Sequence, residues 1–228
     1  LLLLARRADA LETLAGELRA RHPAIAVRVA AVDLGAPALL EEVRAAAAGL
    51  EVGLVVYNAA HSLIGPFLSQ PLADKLRIVD VNCRGPLILA DEFGRAMAAR
   101  GRGGLVFMAS MAAAQGSPLV ATYAATKAFV SNFTEGLSAE LRGTGVHITL
   151  LKPGYGGTEM NPDGPDPKSF AGRFWLTPET VARGSLDAVE RGRLISVPGL
   201  HYRAASGLVT ALPHQLVRAL SSRVDASS

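Results

Sequence analysis

Tyr123 and Lys127 lie four residues apart in ATYAATKAFV, a segment of good helix formers. Four residues is just over one helical turn, so both side chains fall on one face. An ammonium beside a phenol favours the phenolate and is expected to lower the Tyr123 pKa from its usual value of about 10. A phenol tuned in this way is a usable general acid near neutral pH. Such pairs are common on helix surfaces, so their neighbours matter. Ser110 ends an apolar run, GLVFMA, which would put its hydroxyl at a strand's carboxyl end. Asn82 sits in DVNCRGPL among apolar residues, where an amide needs a partner or a function.

The elements that would carry these groups alternate regularly. LLLL at residues 1–4 is a short apolar run ending in polar residues, as in a buried parallel strand. Leu11, Leu14, Ala15 and Leu18 then form a helical stripe. AVRVAAV (26–32), GLVVY (53–57), GLVFMA (104–109) and VHITLL (146–151) are predicted strands, and LISV (194–197) is a candidate for one more. Helices are predicted over 36–50, 71–100 with a break or kink at Pro86, 121–142 and 178–193 with Pro178 in the first turn. Strand followed by helix, four times over, implies a parallel sheet covered on both faces. Ligands bind such sheets beyond the strands' carboxyl ends. Arg6, Arg7, Asp33, Asn58, Ser110 and the stretch after Pro153 all fall there.

Composition narrows the classes. The chain has 228 residues, 50% of them hydrophobic, which suits one globular domain (1–228). Net charge is +3 and the basic residues are scattered, which argues against a nucleic-acid partner. Cys83 is alone, so there is no internal disulfide framework, and a reducing, cytoplasmic compartment is expected. LLLL is far too short to span a membrane or to form a signal-peptide core. His22, His61, His147, His201 and His214 are dispersed, with no metal-binding spacing, and Ser110 lacks a hydrolase elbow. Residues 161–177, rich in Pro and Gly at their start, are expected to form a substrate lid. Residues 199–228 are expected to be a C-terminal extension, helical, packing on the core or on another subunit rather than on a membrane surface.

Taken in order, Asn82, Ser110, Tyr123 and Lys127 resemble the catalytic tetrad of the short-chain dehydrogenase/reductase family. The separations of 13 (123 − 110) and 41 (123 − 82) match its usual pattern. VDL (32–34) resembles the family's adenine-side segment, YNAA (57–60) its Asn-Asn-Ala-Gly stretch, and PGYGGTEM (153–160) its Pro-Gly segment. RGRLISVPGLHYR is similar to members acting on carbonyls or alcohols, including some steroid and fatty-acyl reductases. The resemblance implies an α/β fold, a Rossmann-like doubly wound parallel sheet, and hydride transfer between a nicotinamide cofactor and a hydrophobic small-molecule carbonyl or alcohol. It implies that Tyr123 moves the proton, that Lys127 tunes Tyr123 and holds the ribose, that Ser110 binds the substrate oxygen and that Asn82 positions a water. It also implies cofactor contacts from Asp33, Leu34, Asn58, Ala59, Ala60, Pro153, Gly154 and Thr158, and a homo-oligomer when the protein is full length. Tyr57 and Ala60 depart from the pattern, standing where Asn and Gly are usual.

If LLLLARR is the family's second strand, the acidic position that selects NAD is Ala5, and Arg6 and Arg7 follow it. Guanidinium groups suit a 2′-phosphate, so NADP is expected over NAD. The family's Gly-rich pyrophosphate turn has no counterpart: the third glycine after Gly101 and Gly103 is Val106, and after Gly154 and Gly156 it is Glu159. The chain is therefore expected to be truncated at its N-terminus, with the first strand and first helix missing and a gap left in the sheet. The alternative is a Rossmann-like binding or regulatory protein without catalysis.

Overall fold

The computed structural model describes residues 1–110, 113, 116–153 and 176–199. The expected lid over 161–177 and the extension over 199–228 fall almost entirely outside the described residues, as do Gly154 and Thr158. The chain runs β1 (Leu2–Ala5), α1 (Ala8–Arg21), β2 (Arg28–Ala31), α2 (Leu39–Ala46), β3 (Leu54–Tyr57), α3 (Leu72–Val79), α4 (Gly85–Ala99), β4 (Gly103–Met108), α5 (Ala121–Glu140), β5 (Val146–Leu151), α6 (Pro178–Glu190) and β6 (Ile195–Ser196). A short 3-10 turn covers Phe67–Ser69.

All strand pairs are parallel, but they form two sheets: β1–β2, and β3–β4–β5–β6. Among the described residues β1 and β3 do not pair with each other. Alternation along the strands sorts their side chains onto two faces. Leu105, Phe107, Ile148 and Leu150 face a large cluster with Leu39 and Val43 of α2, Leu89 and Met97 of α4, and Val130 of α5. Val106 and Leu151 face the other way and meet Val189 of α6. Leu105, Phe107 and Leu150 are fully buried, and each such side chain contributes about 2 kcal/mol. The large cluster also takes in Leu4, Ala30, Val32 and Leu34 around β1 and β2, so one core joins the two sheets.

Helix ends follow local chemistry. Thr177 caps α6, its hydroxyl accepting from the Thr180 N–H at 3.3 Å, with Pro178 in the first turn as predicted. After α5, Gly143 and Gly145 turn the chain into β5 with φ of +80° and +76°. Pro86 does not break its helix as expected. A π-helical turn, Asp80–Arg84, carries α3 into α4 with helical backbone angles maintained. Across the widened turn the Gly85 N–H bonds back to Asp80, and the Val81 carbonyl takes its donor from elsewhere.

Gly145 is irreplaceable for two reasons: its φ is positive, and a Cβ there would overlap the Gly101 carbonyl oxygen. Gly145→Ala should cost more than about 2 kcal/mol in urea unfolding. Gly136, mid-helix with open space around it, is the control: Gly136→Ala should stabilise by up to about 1 kcal/mol. Equal effects at the two positions would contradict this account of the turn.

Candidate active site

β4 ends at Met108, and Ser110 follows it at the carboxyl edge of the sheet. Tyr123 and Lys127 lie in the first two turns of α5, which packs along β4 and β5. Ser110 stands close enough to the Tyr123 phenol to lower its pKa. The Lys127 ammonium lies 5.6 Å from the centre of the Tyr123 ring. Asn82 lies in the π-turn and reaches α5 through Thr126. The structure thus brings together all four residues singled out in the sequence.

Their electrostatics differ from the expectation in one respect. The Tyr123 pKa is raised, not lowered: burial pushes it up and only the Ser110 hydrogen bond opposes the rise. Lys127 turns its ammonium to the Met108 carbonyl, 2.8 Å away, instead of pairing with the phenol. Lys127 is itself 3% exposed, and burial pushes its pKa down to about 8, the neighbouring Cys83 working the other way. Burial raises Cys83 to about 11.

Asn82, 2% exposed, has both N–H groups of its amide engaged. Nδ2 donates to the His61 carbonyl at 2.9 Å and to the Thr126 hydroxyl at 3.0 Å, and Oδ1 accepts from the His61 N–H at 2.8 Å. Thr126 in turn donates to the Tyr123 carbonyl at 2.7 Å. This leaves the side chain no N–H for the water expected of it. Thr126 was missed in the sequence. A hydroxyl between two alanines and a lysine inside a helix was the available signal.

Among the described residues, those expected to hold a nucleotide follow the carboxyl ends of their strands. Arg6 and Arg7 are exposed at the end of β1, and Arg6 is close enough to lower the pKa values of both Asp33 and His61. Asp33 accepts two bonds from Arg77, at 2.8 and 3.0 Å, and one from the Gly35 N–H at 3.0 Å, which hold its carboxyl below the usual range. Arg84 donates to the Gly35 carbonyl at 3.2 Å and also to that of Ala36. Arg77 and Arg84 were not singled out by sequence, because salt-bridged arginines on a helix read as surface charge. Leu34 and Ala59 pack on the core, Asn58 and Ala60 are exposed, and Pro153 is half-buried.

The donor set suits a nicotinamide nucleotide. Lys127 makes one hydrogen bond from its buried ammonium among the described residues, which leaves two N–H groups for ribose hydroxyls. No cluster of three or more metal-ligating side chains occurs among the described residues, and no helix there is long and apolar enough to cross a membrane.

Lys127 makes stability depend on pH. An unfolded lysine keeps its proton to about pH 10.4, whereas the native one loses it near 8. Above pH 8 the unfolded chain therefore binds more protons, and stability rises with pH. Native Cys83 keeps a proton that the unfolded thiol loses from about 8.5, so it opposes the rise at higher pH. From pH 8 to 9 Lys127 should add about 1 kcal/mol, of which Cys83 offsets about 0.7. Urea unfolding of Lys127→Met should lack the gain; an identical pH slope in both proteins would mean that the ammonium is not buried.

The sequence pattern of the short chain dehydrogenase family matches residues 1–168. The very-long-chain 3-oxoacyl-CoA reductase of Ajellomyces capsulatus is 31% identical over 156 residues, 67% of this chain and 46% of the relative. The chain spans about half the length of the curated relatives it matches. A solved structure reported for 7beta-hydroxysteroid dehydrogenase stereoselectivity superposes with a TM-score of 0.85 at 27% identity, covering 92% of this chain and 82% of that one. A short-chain dehydrogenase from Sphingobium yanoikuyae, in complex with NADPH, gives 0.76 at 25% identity, covering 93% and 86%. With the match over residues 1–168, this chain belongs to the short-chain dehydrogenase family.

Proposed function

We propose that this chain is an NADP(H)-dependent oxidoreductase that interconverts a carbonyl and an alcohol. The observation that carries the proposal is the buried Lys127 ammonium 5.6 Å from the centre of the Tyr123 ring, with Ser110 near enough to the phenol to lower its pKa. When bound, the nicotinamide supplies or accepts the hydride. Tyr123 gives its proton to the carbonyl oxygen in reduction and takes one from the alcohol in oxidation. Ser110, beside the phenol, holds the same oxygen within reach. Lys127 offers its two remaining N–H groups to the ribose and places its charge near the phenol. The Asn82 side chain is engaged elsewhere, so a water in the proton path would be held by its backbone carbonyl, to which Pro86 has no N–H to give.

NADP over NAD is supported by Arg6 and Arg7 following Ala5, by the position of Arg6 near Asp33, and by the NADPH-bound relative from Sphingobium. A hydrophobic substrate is supported by the names of the relatives. The 3-oxoacyl thioester class is the first to test.

With acetoacetyl-CoA and NADPH, Tyr123→Phe should reduce turnover about a thousandfold while the protein stays folded. Unchanged turnover would favour the non-catalytic alternative. Arg6→Asp should weaken NADPH binding at least about tenfold and NADH binding much less, as read by cofactor titration. Equal losses would remove Arg6 from the 2′-phosphate site.

A further inference from the structure

Tyr57 ends β3 and is 4% exposed. Its phenol donates to the Val81 carbonyl at 2.6 Å, across 24 residues of chain. That carbonyl is half of the Val81–Asn82 peptide, so the bond fixes the plane from which Asn82 departs. The local backbone cannot supply a substitute. In an α-helix the Val81 carbonyl would accept from Gly85, but the Gly85 N–H goes back to Asp80 across the π-turn. In π register the donor would be Pro86, which has no N–H. Gly85 also makes room for the ring, since a Cβ there would overlap the phenol oxygen. Burial keeps the Tyr57 phenol protonated far above its ordinary range, so it remains a donor at any working pH.

We propose that Tyr57 is a positioning residue for the active site: by holding the Val81–Asn82 peptide it keeps the Asn82 amide on His61 and Thr126, and through Thr126 sets the first turn of α5 where Tyr123 stands. The linkage runs from Tyr57 to Val81 at 2.6 Å, from Asn82 to His61 at 2.8 and 2.9 Å and to Thr126 at 3.0 Å, and from Thr126 to the Tyr123 carbonyl at 2.7 Å. The effect on turnover rests on the proposed role of Tyr123. The effect on Asn82 does not.

The test is therefore read in two ways. In the ligand-free 228-residue chain, Tyr57→Phe should speed hydrogen exchange of the His61 amide at least about tenfold, while amides of β5 exchange as in the wild type. With acetoacetyl-CoA and NADPH, it should lower kcat about tenfold with KM within about twofold. Combined with Asn82→Ala, it should cause no further loss of kcat, because both changes act through one link. If Tyr57→Phe does not fold, Gly85→Ala displaces the phenol while keeping its hydroxyl and should loosen His61 in the same way. Unchanged His61 exchange, or additive losses in the double variant, would overturn the proposal. A wild-type chain without turnover would count against the oxidoreductase reading, and His61 exchange would still decide the role of Tyr57.

Discussion

Pro86 withholds one backbone N–H inside a buried helix, and the site is arranged around that omission. A straight α-helix through 72–99 would leave an interior carbonyl without its donor. The chain instead opens into a π-turn at Asp80–Arg84, and a phenol from the neighbouring strand takes up the Val81 carbonyl. The opened turn carries Asn82, buried, and points its amide at both the loop after β3 and the first turns of α5. π-turns inside helices recur at functional sites because they displace one side chain without ending the helix. Here the displaced side chain ties three elements together with three hydrogen bonds.

A second constraint is the division of the sheet. β1–β2 shares no ladder with β3, so the two parts are joined by side chains. Most of that attachment is apolar: Leu4, Ala30, Val32 and Leu34 pack into the core that β4 and β5 build. The polar links are more specific than strong. Arg77 grips both oxygens of Asp33, and Arg84 holds the carbonyls of Gly35 and Ala36, so the loop after β2 is fixed to the same helical segment that carries Asn82. These groups are partly exposed, so each link adds little to stability; their consequence is geometric. The edge that carries Asp33 and the segment that carries Asn82 share one support.

Much of this was legible in the sequence, and what was not has identifiable causes. Short apolar runs such as VHITLL announce strands because buried parallel strands need apolar side chains on both faces. Tyr123, Lys127, Ser110 and Asn82 could be found because their spacing is fixed by chain length within and between elements. The expected break at Pro86 became a π-turn, because the sequence shows the missing donor but not that Tyr57, from another element, donates to the Val81 carbonyl. Tyr57 read only as a departure from the family pattern. The direction of the Tyr123 shift was misjudged because helical spacing puts Lys127 on the same face without saying where its ammonium turns. The Met108 carbonyl, from a different element, decides that.

That misjudgement bears on the chemistry. A phenol whose pKa is raised by burial keeps its proton, and a protonated phenol is the form that reduction requires. On the proposed reading, oxidation begins from the phenolate, which a nearby positive charge would favour. Lys127 is poised for neither extreme: with a pKa near 8 it is mostly charged at neutral pH, yet it spends that charge on a backbone carbonyl. On the proposed reading, a ribose that engages its two remaining N–H groups would stabilise the ammonium, raise its pKa and strengthen its hold on the phenolate. Cofactor binding would then complete the tuning of Tyr123 that the sequence led one to expect in the protein alone.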